Sequence, residues 1–263
     1  MLGLRQRFAR LFSGDAILAS EAGPKDPYDR DRFYDLVGSR WVWAVPLVAF
    51  CVATCAAFPF DLEVSKWFLQ DNAPDILHEI VDAAEPFGDG TCVFVLCLLI
   101  FLLDQARRSD LLMVIVASQG AGMVTNLIKI NIARVRPAEF TFDAPVGETF
   151  QGWLTLTNFS SETQSFPSGH TTTAFGLAMA LSLLYPRARW LFFSLAVLVG
   201  VHRLSVGAHY MSDVFAGAAV GYTVGVVCCR IHLWKWRQIG AVPPKAVDHE
   251  VDVARVQFAR SKG

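Results

Sequence analysis

Six apolar stretches constrain the fold of this chain more than any other feature. In chain order they cover residues 41–60, 87–103, 111–132, 171–185, 190–206 and 214–233. A helix of about 20 predominantly apolar residues is long enough to cross a bilayer. The first, third and sixth stretches reach that length, whereas the second and fourth are short for it. The pattern predicts an all-α, polytopic membrane protein built as a bundle of six transmembrane helices.

The composition supports the membrane class. Of 263 residues, 53% are hydrophobic and only 18% are charged, whereas soluble domains carry about a quarter charged residues. The formal net charge of −1 gives no basic field for nucleic acid, so we expect no nucleic-acid partner. The six cysteines have no metal-ligand spacing and are interpreted as small apolar residues. The chain is divided into an N-terminal arm (1–40), a membrane domain (41–233) and a C-terminal tail (234–263).

The distribution of basic residues predicts the orientation in the membrane. Arginine and lysine occur in the N-terminal arm, in the 2–3 and 4–5 loops and after the last stretch, whereas the 1–2 loop holds eight acids and only Lys66. Basic loops stay on the cytoplasmic side. We therefore expect a multi-pass protein of the cell (inner) membrane with both termini cytoplasmic and the 1–2, 3–4 and 5–6 loops outside.

Two smaller patterns concern helix packing. In the 1–2 loop, apolar residues at helical spacing predict a short surface helix; they are Ile76, Ile80, Val81 and Ala84. In the sixth stretch, small residues recur every four positions, a spacing that lets membrane helices approach closely; they are Gly217, Gly221 and Gly225. Packing within the bundle is the preferred role of this stripe, and a homo-oligomer is left open.

Ionisable side chains gather at the predicted outer ends of the stretches. They are Lys129, Arg136, His170, His202, Arg203, His209 and Asp213. Such residues are costly at membrane depth and therefore indicate function. A structural ion pair or a side chain reaching to the interface would explain any one of them. The ends of four stretches bring all of them to the same predicted side, which favours a common site.

The local sequence around these charges indicates an anion site. Lys129 and Arg136 are seven residues apart, so a continuous helix would place them on one face until Pro137, which turns Arg136 outward. The segment Pro167–His170 reads as a turn into a helix N-terminus, whose amides and dipole bind anions. In it Ser168 adds a hydroxyl donor and Gly169 permits close approach. Because arginine forks match phosphate oxygens, the expected ligand is a phosphoryl group.

The two histidines of the cluster suit different chemical roles. His209 precedes Asp213 by four residues, so we expect the carboxylate to accept from Nδ1 and leave Nε2 free to attack phosphorus. His170 has no carboxylate nearby in sequence and can protonate the leaving oxygen. Attack by a neutral imidazole gives a phosphohistidine. No carboxylate cluster suited to magnesium is visible, so we expect no metal and no cofactor. Three cations would stabilise the equatorial oxygens: Lys129, Arg136 and Arg203.

Three segments together carry a family resemblance: KINIARVRP (Lys129 to Pro137), PSGH (Pro167 to His170) and RLSVGAHYMSD (Arg203 to Asp213). They resemble the type-2 phosphatidic acid phosphatase superfamily, which includes acid phosphatases and vanadium haloperoxidases, over about residues 41–233. The resemblance implies that core fold, with His209 as nucleophile, His170 as general acid and Asp213 as orienting carboxylate. It also implies phosphate binding by Lys129, Arg136, Ser168, Gly169 and Arg203. One departure is His202, where the family usually has serine; it is either a wall residue or a second titrating group.

These patterns predict a metal-independent phosphatase acting on a lipid phosphate, with membrane lipids as its surroundings. The candidate substrates are undecaprenyl diphosphate, phosphatidylglycerophosphate, phosphatidic acid and the phosphate groups of lipid A. A phosphotransferase would use the same residues, and a transporter or a soluble haloperoxidase fits less well. Aromatic residues of the 3–4 loop either shape an entry for the headgroup or pack the loop; they are Phe140, Phe142, Phe150, Trp153 and Phe159.

Overall fold

The structure is a computed structural model that describes residues 39–156 and 160–238. The predicted arm and tail lie almost wholly outside the described residues, as does Phe159. Within the described ranges there are eight α-helices and two short strands: α1 Arg40–Ala57, α2 Asp61–Leu69, α3 Asp75–Ala84, α4 Gly90–Leu103, α5 Leu111–Asn131, β1 Ile132–Arg134, β2 Phe150–Trp153, α6 Gly169–Leu184, α7 Arg189–Ser205 and α8 Met211–Gln238.

All six apolar stretches form helices, namely α1, α4, α5, α6, α7 and α8, so the mostly helical fold is confirmed. By length and composition, four helical segments of the described chain can cross a membrane: Arg40–Leu69, Gln105–Asn131, Pro186–Ser205 and Met211–Lys235. A fifth span results if α3 and α4, which are bent by 65°, are taken together. The count of six spans therefore stays a prediction.

Helix α6 lies at the centre of the bundle, which explains how so short a helix is accommodated. Residues 171–184 are all buried, and α6 packs against α5, α7 and α8. The contact with α8 is close because a Cβ on Gly221 would lie 2.2 Å from a backbone oxygen of α6. A Cβ on Gly217 would lie 2.6 Å from the carbonyl oxygen of the α6 N-cap residue, and a Cβ on Gly225 would lie 2.8 Å from a side chain of α6. The predicted packing role of the glycine stripe is thus confirmed.

The segment between α1 and α4 is more ordered than its sequence predicted. The expected surface helix is confirmed as α3, which buries Val81 and Ala84 beside α7 and leaves Ile76 and Ile80 exposed. Helix α2 was not predicted; it continues α1 after one short turn of 3₁₀ helix.

The end of α5 differs from the predicted geometry. The helix stops at Asn131, and the next three residues pair with β2 in antiparallel register, Ile132 opposite Trp153. Thr155 reinforces the stop, because its amide and hydroxyl donate to the carbonyls of Asn131 and Ile130. The expectation that Lys129 and Arg136 share one helix face is therefore wrong, and the fold is mostly helical rather than strictly all-α.

Candidate active site

The predicted site residues come together at one end of the bundle. Lys129 lies in the last turn of α5 and Arg203 in the last turn of α7. His170 lies in the first turn of α6, and Asp213 in the first turn of α8. Because successive helices run in opposite directions, these ends are adjacent. Lys129 is within electrostatic range of Arg136, Arg203 and Asp213, so the convergence predicted from sequence is present.

Three cations form one wall of the site. Lys129 is 7% exposed, and its Nζ lies 3.9 Å from where a Cβ on Gly169 would stand, an ordinary contact distance, so the ammonium lies beside the start of α6. Arg136 has the extended backbone expected before proline, and its Nε donates to the Ser161 carbonyl at 2.7 Å. Arg203 has a buried Nε without a hydrogen-bond partner among the described residues. A cluster of like charges with such an unused donor is suited to an anion.

The turn before α6 is only partly as predicted. The helix begins at Gly169 with Ser168 as its N-cap, which places helix amides and the positive end of the dipole at the site. The Ser168 side chain is fully buried, however, and its hydroxyl lies 2.9 Å from the Thr171 hydroxyl. The backbone of this turn faces the cations, whereas the serine hydroxyl is engaged within the turn.

The orientation of His209 is fixed differently from the expectation. Its Nδ1 lies 2.7 Å from the carbonyl oxygen of Ser165. Because a carbonyl oxygen only accepts, Nδ1 carries the proton and Nε2 keeps its lone pair. The nearest oxygen of Asp213 is 3.8 Å from Nδ1, too long for a hydrogen bond. The expected direct bond between imidazole and carboxylate is therefore absent, although the resulting tautomer is the same.

Burial sets the protonation state of His209. The side chain is 2% exposed, and burial lowers its pKa to about 4, against the opposing effect of Asp213. The charges of Lys129 and Arg136 also lower the pKa. The imidazole is consequently neutral at neutral pH, as a nitrogen nucleophile must be.

Asp213 acts on His209 through Ser165. The carboxylate accepts from the Ser165 hydroxyl at 2.6 Å and from the backbone N–H of Tyr210 at 2.9 Å. It also pairs with the guanidinium of Arg134. Ser165 thus donates to Asp213 with its hydroxyl and accepts from His209 with its carbonyl. Asp213 therefore fixes the position of Ser165, and Ser165 fixes the orientation of the His209 imidazole.

Arg134 is a member of the site that sequence reasoning missed. The side chain is completely buried, with the rings of Phe58, Phe150 and Tyr210 between 4.1 and 5.6 Å from its Cζ. Its second partner is Asp61, at 2.6 Å from Nη2. Burial opposes the charge of Arg134, but the two carboxylates raise its pKa, so the guanidinium stays charged. The signal available in the sequence was its place inside KINIARVRP, two residues before Arg136.

Two aromatic residues of the 3–4 loop lie near the site and the end of α5. Phe150 packs over the Arg134 guanidinium, so this ring packs the loop against the site. Trp153 stacks on Phe150 at 4.9 Å between ring centroids and is 66% exposed, beside the end of α5. An exposed indole at the end of a candidate span has the position of an interfacial anchor.

The tertiary structure supplies His170 with a carboxylate that its local sequence lacks. Nε2 lies 3.5 Å from Oε1 of Glu85, and each side chain is about one third exposed. Burial and the nearby Arg203 lower the pKa of His170, while Glu85 and Asp89 raise it. The 1–2 loop therefore contributes directly to the surroundings of the predicted general acid.

His202 faces the same acidic segment. Its Nε2 lies 3.4 Å from Asp82 of α3, and its buried Nδ1 has no hydrogen-bond partner among the described residues. This position fits a wall residue that connects α7 to α3. No group of three or more His, Cys, Asp or Glu side chains that could hold a metal ion occurs in the described ranges.

Comparison with known proteins identifies the family. A family model of the PAP2 superfamily matches residues 110–237. Lipid A 1-phosphatase from Rhizobium etli is 34% identical over 166 residues, which are 56% of this chain and 68% of that protein. This chain belongs to the PAP2 superfamily. It is accordingly a membrane phosphatase that acts on lipid phosphates.

One solved structure and one further relative are also similar to this chain. The crystal structure of the PAP2-type phosphatidylglycerolphosphate phosphatase from Bacillus subtilis aligns with a TM-score of 0.53 at 19% identity, covering 74% of this chain and 97% of that one. Lipid phosphate phosphatase 1 from Arabidopsis thaliana is 26% identical over 220 residues, 72% of this chain and 66% of that protein. The solved structure supports the PAP2 fold for this chain.

The matched PAP2 range begins after the 1–2 loop. Asp61, Asp82 and Glu85 therefore lie outside it, although all three side chains contact residues of the site. In the sequence they were part of the acidic loop that indicated orientation. Only the folded chain shows that this loop also supplies partners for Arg134, His170 and His202.

Proposed function

We propose that this PAP2 phosphatase hydrolyses a membrane lipid phosphate through a phosphohistidine at His209, on the extracytoplasmic side. The observation that carries the proposal is the state of His209: buried, neutral, with Nδ1–H donated to the Ser165 carbonyl. Its Nε2 is then the nucleophilic nitrogen, within electrostatic range of the cations that would hold the phosphoryl group.

The first step is transfer of the phosphoryl group to the enzyme. The Nε2 lone pair of His209 forms a bond to phosphorus while the bond from phosphorus to the lipid oxygen breaks. His170 gives its proton to that oxygen, which leaves as a lipid alcohol, or as a lipid monophosphate if the substrate is a diphosphate. Lys129, Arg136 and Arg203 would stabilise the negative charge on the equatorial oxygens.

The second step returns the enzyme to its starting state. A water molecule attacks phosphorus, and His170, now neutral, accepts its proton. The bond between phosphorus and Nε2 breaks, its electron pair returns to His209, and inorganic phosphate leaves. A phosphotransferase would differ only here, with another hydroxyl in place of water.

Two observations support the side and the class of substrate. Basic residues of the 2–3 and 4–5 loops lie at the end of the bundle opposite the site, including Arg107, Arg108 and Arg187. From the positive-inside rule we infer that those loops and both termini are cytoplasmic in an inner-membrane protein and that the site is outside. Similarity to lipid A 1-phosphatases from Rhizobium etli and Rhizobium johnstonii makes the 1-phosphate of lipid A the leading candidate substrate.

A substrate panel tests the proposal. The purified protein is incubated with lipid A, phosphatidylglycerophosphate, phosphatidic acid and undecaprenyl diphosphate, with and without EDTA, and released phosphate is measured. We expect turnover that EDTA does not reduce, fastest with lipid A. Faster release from another lipid would reject the substrate assignment alone. A phosphorylated second lipid without free phosphate would indicate a transferase.

The covalent step has its own test. Samples with ³²P-labelled substrate that are quenched in alkaline detergent should carry an alkali-stable, acid-labile phosphoryl group that is lost in His209→Ala. The control is His78→Ala, on the surface helix α3. Labelling of His209→Ala at the level of the unaltered enzyme would remove the proposed nucleophile.

A further inference from the structure

Asp61 is a buried acid that none of the three sequence motifs includes. Its side chain is completely buried at the start of α2. Oδ2 accepts from Arg134 Nη2 at 2.6 Å and from the Ser212 hydroxyl, and Oδ1 accepts from the Ser212 backbone N–H at 2.9 Å. One carboxylate thus joins α2 to β1 and to the first turn of α8.

These contacts place Asp61 in one chain of bonds with the predicted nucleophile. Arg134 donates to Asp61 through Nη2 and to Asp213 through Nη1. Asp213 accepts from the Ser165 hydroxyl, and the Ser165 carbonyl accepts from Nδ1 of His209. Every link is a charged or hydrogen-bonded contact between buried groups, so a displacement at one end has few ways to relax.

The charge balance makes this arrangement costly as a purely structural device. Two buried carboxylates share one guanidinium, so three ionisable groups are kept away from water and depend on one another for compensation. Replacing a buried ion pair by apolar side chains of similar volume is often neutral or stabilising. A fold that needed only a contact between α2 and α8 would not require these charges.

The geometry of a guanidinium explains what the second carboxylate does. Arginine presents its donors as a rigid planar fork. With Nη1 on Asp213 and Nη2 on Asp61, both ends of the fork are fixed and the plane cannot turn. Without Asp61, Nη2 would lose its carboxylate partner. The orientation of the guanidinium would then depend on the bond from Nε to the Thr149 hydroxyl and on the contacts of Nη1 with Ser212 and Asp213.

We propose that Asp61 is a positioning residue for phosphoryl transfer, holding Arg134 on Asp213 so that Ser165 keeps His209 in its reactive orientation. The inference rests on the proposed role of His209. It assigns a catalytic consequence to a residue of α2, outside the matched PAP2 range.

The first test is Asp61→Asn, which preserves size and an acceptor oxygen but removes the charge. We expect kcat to fall on the order of 10- to 100-fold, because a small misplacement of a reacting group has effects of that size. KM should change less than about twofold, because the phosphate-binding cations are untouched. Glu63→Gln, the same change at an exposed acid of α2, is the matched control and should leave both constants unaltered.

A count of intact sites separates positioning from folding. Orthovanadate, a tetrahedral oxyanion, is titrated into each variant to give the number of anion-binding sites, and kcat is expressed per site. A positioning residue leaves the number of sites near that of the unaltered enzyme and lowers turnover per site. Fewer sites with unchanged turnover per site would overturn the proposal, because Asp61 would then serve only folding. Asp61→Glu, which restores the charge, should recover part of the loss.

A milder variant covers the case in which Asp61→Asn yields no intact sites. Ser212→Ala removes hydroxyl contacts to both Asp61 and Arg134 but leaves the ion pair. We expect turnover per site to fall about three- to tenfold, part of the effect of the two buried hydrogen bonds that are lost; unchanged turnover would refute the proposal.

Phosphohistidine labelling keeps the two proposals distinguishable. If the unaltered enzyme forms no label, the mechanism at His209 fails, whatever the result at Asp61. If it labels normally and Asp61→Asn labels at the same rate per site, only the positioning role fails.

Discussion

The contact between His170 and Glu85 allows a quantitative prediction of the pH profile. At 3.5 Å, a carboxylate and an imidazolium attract by about 1 kcal/mol in bulk water and about 5 kcal/mol at an effective dielectric constant near 20. Both side chains are about one third exposed. Because water screens the attraction between them, its energy lies near the lower of these two values. About 1.4 kcal/mol corresponds to one pKa unit. Glu85→Gln should therefore lower the pKa of His170 by about one unit.

The sign of the kinetic effect follows from the proposed roles. Transfer to the enzyme needs His170 protonated and His209 neutral, so kcat/KM rises with pH as His209 loses its proton, near its pKa of about 4, and falls as His170 loses its own. Without the negative charge of Glu85, His170 loses its proton at lower pH. The alkaline limb of the profile should move to lower pH by about one unit. At pH 7, which is above the lowered pKa of His170, kcat/KM should fall about tenfold.

The assay is kcat/KM between pH 4 and 8 with a short-chain lipid phosphate in detergent. Ionisation of the substrate affects both proteins equally and cancels in the comparison. Glu79→Gln, the same change at an exposed acid of α3, is the control and should leave both limbs in place. An alkaline limb of Glu85→Gln that stays in place or moves to higher pH would refute the reasoning.

Three further outcomes are expected. His170→Ala should reduce turnover of alkyl phosphates far more than that of aryl phosphates with good leaving groups, and equal losses would argue against a general acid. Ser165→Ala should lower kcat about fivefold, the effect of one buried hydrogen bond lost from Asp213, with little change in vanadate affinity; a changed affinity and unchanged kcat would contradict the link. Gly221→Ala should lower the melting temperature in detergent, because its Cβ would meet a backbone oxygen of α6 at 2.2 Å and overpacking costs about 1–3 kcal/mol. Gly147→Ala, with open space around it, is the control and should not, and equal melting temperatures for the two variants would show that the contact relaxes freely.

Much of the site was predictable because membrane helices restrict where loops can go. Backbone polar groups cannot be left unpaired in lipid, so each apolar stretch forms a helix and successive helices alternate in direction. Lys129, Arg203 and Asp213, at alternating ends of three stretches, then had to reach the same side. Local spacing also indicated the turn at Gly169 and the extended backbone at Arg136, since both depend on adjacent residues.

The partners of the catalytic groups were not predictable from spacing. A separation of four residues between His209 and Asp213 would allow a contact on one helix. The chain from Gly207 to Tyr210 is not helical, however, and the imidazole contacts Ser165 of a different loop. The end of α5 at Asn131 likewise depends on pairing with β2, a segment nearly twenty residues away in sequence.

The sequence by itself determined the class of protein, the side-by-side convergence of the three motifs and the kind of anion they are suited to, because these follow from hydrophobicity, charge and short-range geometry. Tertiary structure alone decided which group orients each histidine and which acids of the 1–2 loop reach the site. Contacts of this kind, such as Asp61 with Arg134 and Glu85 with His170, join residues far apart in the chain. Their distances are set by how helices pack in the bundle, and no local pattern encodes that packing.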